Sequence, residues 1–108
     1  MGSSYQDLCN FPIDARRQAG FQLDKVQRGL MPDDWKPLTG IAAGVQEIRI
    51  RERSGAFRVI YLVNLGNDVY VLHAFQKKSQ TTPKKDLDLA ATRLRAVKAM
   101  LNKGNNSD

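Results

Sequence analysis

The pattern of apolar positions in the first third of the chain predicts two helices. Apolar residues recur three and four positions apart between residues 12 and 30, which is the spacing of one helix face: Ala15, Ala19, Leu23, Val26 and Leu30. Pro12 suits the first helical position because its missing N–H needs no partner there. Gly29 lies where a left-handed residue often ends a helix. A shorter helix is predicted over residues 4–10, so that the two form an antiparallel pair.

The middle of the chain changes to the period of β-strands. Apolar runs separated by short turns predict strands over residues 46–52, 56–65 and 68–75. In the first strand, isoleucines 48 and 50 face one side, and charged residues face the other: Glu47, Arg49 and Arg51. The second and third strands are apolar on both faces, so we expect them to be covered. Because the turns at Ser54-Gly55 and Gly66-Asn67 are short, the three strands should form an antiparallel meander.

Proline and glycine predict a loop over residues 31–44, which Trp35 would anchor to the core. A last helix is predicted to begin with Thr82 as its cap and Pro83 as its first residue. Its apolar stripe must pack against protein: Leu87, Ala90, Leu94, Val97 and Leu101. Helices on both sides of an antiparallel sheet indicate an α+β domain over residues 1–103, followed by a frayed tail at 104–108.

Length and composition narrow the class of protein. The chain has 108 residues, enough for one domain, with 42% hydrophobic and 26% charged residues. The single cysteine, Cys9, rules out an internal disulfide and a cysteine-cluster metal site, and the single histidine, His73, argues against a histidine-rich metal centre. We therefore expect neither metal nor cofactor. Without a long apolar run or a leader pattern, we expect no membrane association and a cytoplasmic protein.

The positive charge is concentrated in the strand region. Residues 46–85 hold eight basic and three acidic side chains, whereas residues 1–45 hold five of each. The basic residues of this region are Arg49, Arg51, Arg53, Arg58, Lys77, Lys78, Lys84 and Lys85. A localised positive field attracts polyanions such as nucleic acid. The alternative is a solvated surface on which Glu47 and Glu52 pair with arginines across strands.

Three segments resemble a known family. VQEIRIRERSGAFRVIYLV at residues 45–63 and DVYVLHAFQKKSQTTPKKDLDLA at residues 68–90 are similar to the phage-derived, HigB-type branch of the RelE/ParE toxin superfamily. RRQAGFQLDKVQRGLMPDDWKPL at residues 16–38 matches the same branch, and the resemblance covers roughly residues 4–98. It implies a helical pair, an antiparallel sheet and a C-terminal helix. It also implies the toxin of a type II toxin–antitoxin system, an endoribonuclease that cuts mRNA on the ribosome and is inhibited by a HigA-like antitoxin.

The resemblance implies roles for individual residues. Arg49 would contact RNA or aid catalysis, and Arg58 would hold the scissile phosphate. Lys77 and Lys78 would stabilise charge on the phosphate or leaving group. The RNA's own 2′-OH would attack, and three residues remain open as its general base: Glu47, His73 and Tyr61. The further residues expected to bind RNA are Arg51, Arg53, Tyr61, Lys84 and Lys85.

One departure from the family and two other functions stay open. The family usually begins with a strand, which is not evident here, so we expect a bare sheet edge that promotes a homo-oligomer.

A toxin of the ParE kind, which poisons gyrase, generally lacks the strand-borne set of arginines and lysines. An inactive phage remnant would only bind the antitoxin and help it to repress.

Overall fold

The computed structural model describes residues 2–53, 55–63, 68–78 and 82–105, with side chains from Gln6 to Leu101 within those ranges. Two helices come first, α1 (Gly2–Cys9) and α2 (Ile13–Gln27). Four strands and a long helix follow: β1 (Trp35–Pro37), β2 (Val45–Glu52), β3 (Gly55–Val63), β4 (Val69–Lys77) and α3 (Lys84–Asn105). The strands lie in the order β1-β2-β3-β4 and every neighbouring pair is antiparallel. The predicted α+β fold is confirmed.

One face of the sheet packs against the N-terminal helices. Ala15 and Ala19 on α2 are fully buried against the β2 and β3 residues that point to this side, which include Ile48 and Val59. Small residues on α2 allow a close approach of helix and sheet. The helix is shorter than the predicted range of 12–30: Pro12 is its N-cap, it ends at Gln27, and Leu30 is 53% exposed beyond it. Gly29 adopts the expected left-handed conformation after the helix, with a φ of 79°.

The opposite face packs against α3 over only part of its area. The α3 stripe buries Ala90, Leu94 and Val97 against apolar residues of the three long strands, which include Val45 and Ile60. Leu101 is partly buried beside them. The predicted burial of this stripe is confirmed. The rest of this face, where β2 and β3 carry charged residues, has no helix over it among the described residues.

A β-bulge in β4 turns two consecutive side chains toward α3. Ile60 pairs with His73, but Tyr61 pairs with Val71, so that Leu72 is the extra residue. Leu72 consequently packs in the core beneath α3, and His73 reaches Asp86 in the first turn of that helix. The bulge therefore determines where α3 begins relative to the sheet.

The predicted loop over residues 31–44 is wrong at Trp35–Pro37, which form the edge strand β1. Trp35 pairs with Ile48 and Pro37 with Gln46, so β1 covers the outer side of β2 over this length, and β4 lies at the other edge of the sheet. Pro37 is tolerated because an edge strand leaves one side of its backbone unpaired. The sheet therefore has four strands, whereas the sequence predicted three. A homo-oligomer stays a prediction.

Two smaller corrections concern the last helix. The helix begins at Lys84 rather than Pro83, and Thr82 donates its hydroxyl hydrogen bond to Glu47 (Oγ1–Oε2 3.1 Å). Thr82 therefore links the start of α3 to the sheet. Gly104 and Asn105 belong to α3, and residues 106–108 of the predicted tail lie outside the described residues. So do Ser54, residues 64 and 65 at the end of the predicted second strand, and the predicted turn at Gly66-Asn67. Within the described residues, no helix has the length and apolarity needed to span a membrane.

Candidate nucleic-acid interface

Strand pairing brings charged residues from distant parts of the chain onto the open part of the α3 face. Arg49 on β2 pairs with Arg58 on β3, and in the next row Arg51 and Lys77 flank Ala56. Two residues before Arg49 on β2, Glu47 pairs with Lys36 on β1. We call these cations the sheet cluster: Lys36, Arg49, Arg51, Arg58 and Lys77.

Glu47 and Arg58 form a buried ion pair at the centre of the sheet cluster. Glu47 is fully buried and Arg58 is only 5% exposed. Arg58 Nε lies 3.5 Å from Glu47 Oε1, and Arg58 Nη1 donates a hydrogen bond to the carbonyl of Phe57 (3.1 Å). Burial lowers the pKa of the Arg58 guanidinium, while the charge of Glu47 opposes this effect. The negative charge of Glu47 thus compensates the positive charge of Arg58, the residue that the family resemblance expects to hold a phosphate.

The other members of the sheet cluster reach solvent. Arg49 keeps a third of its side chain exposed, and its Nη1 lies 3.8 Å from Asp34 Oδ1. Lys36 Nζ lies 3.9 Å from Glu47 Oε1. Partial burial, followed by the positive charge of Arg58, lowers the pKa of Lys77. A lysine whose pKa is lowered gives up a proton more readily, which suits a group that must protonate a leaving oxygen.

The surface carries an excess of positive charge even after its acids are counted. Among the described residues, the five cations of the sheet cluster lie near two carboxylates, those of Glu47 and Asp34. Guanidinium and ammonium groups form short, charge-assisted hydrogen bonds with phosphate oxygens. A surface with this arrangement can position an RNA backbone and spread the charge of a phosphate that is being cleaved.

His73 lies outside the sheet cluster, in a network that joins three elements. Its Nε2 is 2.7 Å from Asp86 Oδ1 on α3, and its Nδ1 is 3.4 Å from Asp7 Oδ2 on α1. Arg93 donates to the same Asp7 oxygen (2.8 Å) and to the carbonyl of Leu72 (2.9 Å). The imidazole is 6% exposed and stacks on Phe75. These contacts tie α1 and α3 to β4.

Tyr61 points away from the sheet cluster. It is fully buried on the face that packs against α2, and its hydroxyl donates to Gln46 Oε1 (2.6 Å). Burial raises the pKa of Tyr61 to about 12. In this conformation its phenol is neither accessible to RNA nor easily ionised.

The remaining predicted site residues are exposed. Arg53 follows β2, and Lys78, which the resemblance assigns to charge stabilisation, follows β4. Lys84 and Lys85 occupy the first turn of α3, where Lys84 borders a cavity of about 370 Å³ that Leu38 and Leu87 also line. The described residues contain no group of three or more histidine, cysteine, aspartate or glutamate side chains able to hold a metal ion.

Sequence reasoning missed three contributors to this surface. Asp34 and Lys36 were assigned to a loop, and only the pairing of β1 with β2 brings them beside Arg49 and Glu47. Thr82 was interpreted as a helix cap. The one available signal for β1 was the alternation of Asp34, Trp35 and Lys36, which is too short to identify a strand.

The fold and this surface together define a small α+β protein with a cationic sheet face, of a kind that can bind a polyanion. The comparison with protein families agrees with that class. A family model described as "Phage derived protein Gp49-like (DUF891)" matches residues 6–95. The chain belongs to this phage-derived family, which is associated with RelE-like toxins of toxin–antitoxin systems. No curated protein and no solved structure matches the chain.

Proposed function

We propose that this chain is the toxin of a type II toxin–antitoxin system, of the HigB type within the RelE superfamily. It acts in the cytoplasm as an endoribonuclease that cleaves mRNA on the ribosome, and a HigA-like antitoxin inhibits it. The observation that carries the proposal is the convergence of Arg49, Arg58 and Lys77 on the part of the sheet face that α3 leaves open. Membership in the Gp49-like family supports the toxin assignment.

The chemistry needs only the groups of this face and the RNA itself. The 2′-OH of the RNA attacks the adjacent phosphorus, the bond to the 5′-oxygen breaks, and the products carry a 2′,3′-cyclic phosphate and a 5′-OH. Arg49 and Lys77 bind the phosphate oxygens from the surface. Arg58 contributes positive charge from the buried layer, where the low dielectric strengthens its field.

The test is cleavage by variants that alter the exposed cations. Each charge-assisted contact contributes about 1.5–3 kcal/mol, and about 1.4 kcal/mol corresponds to one decade in rate. Arg49→Ala and Lys77→Ala should therefore each slow ribosome-dependent mRNA cleavage at least tenfold and relieve growth arrest. The matched controls are Arg17→Ala on α2 and Lys98→Ala on α3, which remove exposed cations away from the cluster.

Arg58→Ala is a less suitable test, because it would leave the buried Glu47 without its partner. The double variant Lys77→Ala/Lys78→Ala extends the test to the end of β4. Folded, equally expressed Arg49→Ala and Lys77→Ala proteins that arrest growth and cleave mRNA like the parent would contradict the nuclease assignment. Antitoxin binding without toxicity of the parent chain would instead favour an inactive remnant, and arrest with gyrase inhibition would favour a ParE-like toxin.

A further inference from the structure

Asp34 is the carboxylate that lies beside the cations at the surface. Its backbone carbonyl accepts a hydrogen bond from the amide of Arg49 (2.9 Å), which extends the pairing of β1 and β2 by one residue. Its side chain is half exposed, with Oδ1 3.8 Å from Arg49 Nη1. Asp34, Arg49 and Arg58 thus follow one another across three adjacent strand positions.

We infer that Asp34 is the general base of the RNA cleavage proposed above, accepting the proton of the attacking 2′-OH. The inference rests on that proposed function and adds a residue that family resemblance did not suggest. A base must come within hydrogen-bond reach of the proton it removes. Asp34 satisfies this requirement because its carboxylate is accessible and lies next to a cation that would hold the phosphate.

The three bases considered from the sequence do not meet the same requirement in this conformation. Glu47 is fully buried and occupied by Thr82 and Arg58. His73 contacts two carboxylates, Asp7 and Asp86, in the network that holds α1 and α3. Tyr61 is buried on the other face of the sheet. The neighbouring Asp33 is held by Lys25 and Gln22 of α2.

The position of Asp34 relative to Lys77 suits a displacement in which base and acid lie on opposite sides of the phosphate. Asp34 precedes β1 and Lys77 ends β4, with Arg49 and Arg58 on the two strands between them. Three strand spacings, together with the two residues by which Lys77 is displaced along its strand, correspond to about 16 Å between their backbones. A phosphate bound over the two arginines therefore has a carboxylate on one side and an ammonium group on the other.

The step balances with these two groups alone. The 2′-oxygen forms its bond to phosphorus as its proton passes to the carboxylate of Asp34. The bond between phosphorus and the 5′-oxygen breaks, and that oxygen takes a proton from Lys77. After the step, Asp34 is a neutral carboxylic acid and Lys77 is a neutral amine. Proton exchange with solvent then restores the charged form of each. The charged groups that act on this site from the neighbouring strands are Lys36, Glu47, Arg49, Arg51 and Arg58.

The experiment compares Asp34→Asn with Asp33→Asn, in the full chain and on programmed ribosomes under single-turnover conditions. General-base catalysis contributes on the order of 10²–10⁴ in rate, so Asp34→Asn should cleave at least 100-fold more slowly than the parent. Asp33→Asn, which removes the adjacent carboxylate, should cleave within threefold of the parent. Asp34→Glu should recover part of the activity.

One further measurement separates a base from a residue that only positions Arg49. Binding of an mRNA with a 2′-deoxy nucleotide at the cleavage position should be unchanged or tighter in Asp34→Asn, because a negative charge has been removed from a cationic surface.

Two results would overturn the inference. Asp34→Asn could cleave like the parent, or it could lose cleavage only in proportion to lost RNA binding. In each of these cases the proposed nuclease function would survive, since the parent still cleaves. If the parent itself leaves ribosome-bound mRNA intact, the proposed function fails and Asp34 loses its role with it.

Discussion

Glu47 is a charged side chain with no exposed surface, and its neighbours explain how the fold accommodates it. Its Oε2 accepts a hydrogen bond from Thr82, whereas its Oε1 has no hydrogen-bond donor in the part of the chain that the structure describes and lies 3.5 Å from Arg58 Nε. The compensation at Oε1 is therefore mainly electrostatic. A buried ion pair of this kind need not stabilise the fold, but removing one partner leaves an uncompensated charge.

We therefore predict that Glu47→Gln lowers the free energy of unfolding by about 3 kcal/mol or more, measured by urea denaturation. The matched control is Asp24→Asn, which removes a carboxylate from the exposed Asp24–Arg28 pair on α2. Such exposed helix pairs contribute only about 0.3–0.5 kcal/mol. Equal stability losses in the two variants would show that the Glu47–Arg58 pair is not compensating buried charge.

Tyr61 leads to a prediction for alkaline pH. Because burial raises its pKa from about 10 to about 12, folding disfavours the phenolate. The corresponding stabilisation is complete below about pH 10 and is lost as the pH rises from about 10 toward 12, on the order of 2 kcal/mol in total. Tyr61→Phe should remove this part of the pH dependence, measured by urea denaturation at several pH values. Identical pH dependence in parent and variant would contradict the prediction.

The bulge in β4 and the helix α3 act together to divide one sheet face into an apolar and a charged part. Leu72 and His73 both turn toward α3, which fixes the first turn of the helix through Asp86 and its apolar stripe through the core. The helix then covers Val45, Ile60 and Leu62. It leaves the side chains of Lys36, Arg49 and Arg51 in contact with solvent.

Two leucines on α3 test how this helix is held. Leu94 is 4% exposed in the core beneath α3, whereas Leu89 on the same helix is 37% exposed. Leu94→Ala should lower the free energy of unfolding by about 2–5 kcal/mol, and Leu89→Ala by less than about 1 kcal/mol, measured by thermal or urea denaturation. If the two changes lower the free energy of unfolding equally, α3 does not pack through the stripe of Ala90, Leu94 and Val97.

Across the whole molecule, regular hydrophobic patterns predicted the architecture well. The α3 stripe and the alternation of Ile48 and Ile50 depend on local periodicity, which a sequence displays directly. The short turn between β2 and β3 also made the pairing of Arg49 with Arg58 predictable, because it limits how the two strands can align.

The features that were missed depend on contacts between distant segments. β1 has three residues, too few for a recognisable period, and it exists because β2 offers an edge with which to pair. The burial of Glu47 depends on Thr82, 35 residues further along the chain. Asp34 became a candidate base only because β1 brings it beside Arg49. No local pattern contains this information.

The most direct test of the central claim is the nature of the RNA ends that the purified protein makes on programmed ribosomes. If the open sheet face promotes attack by the RNA's own 2′-OH, the products will carry 2′,3′-cyclic phosphate and 5′-OH ends, and a single 2′-deoxy substitution at the cleavage position will abolish the cut there. Arg49→Ala and Lys77→Ala will lose the same products, while Lys98→Ala will retain them. Cleavage at the deoxy position, or no cleavage of unmodified mRNA by the parent protein, would contradict the account.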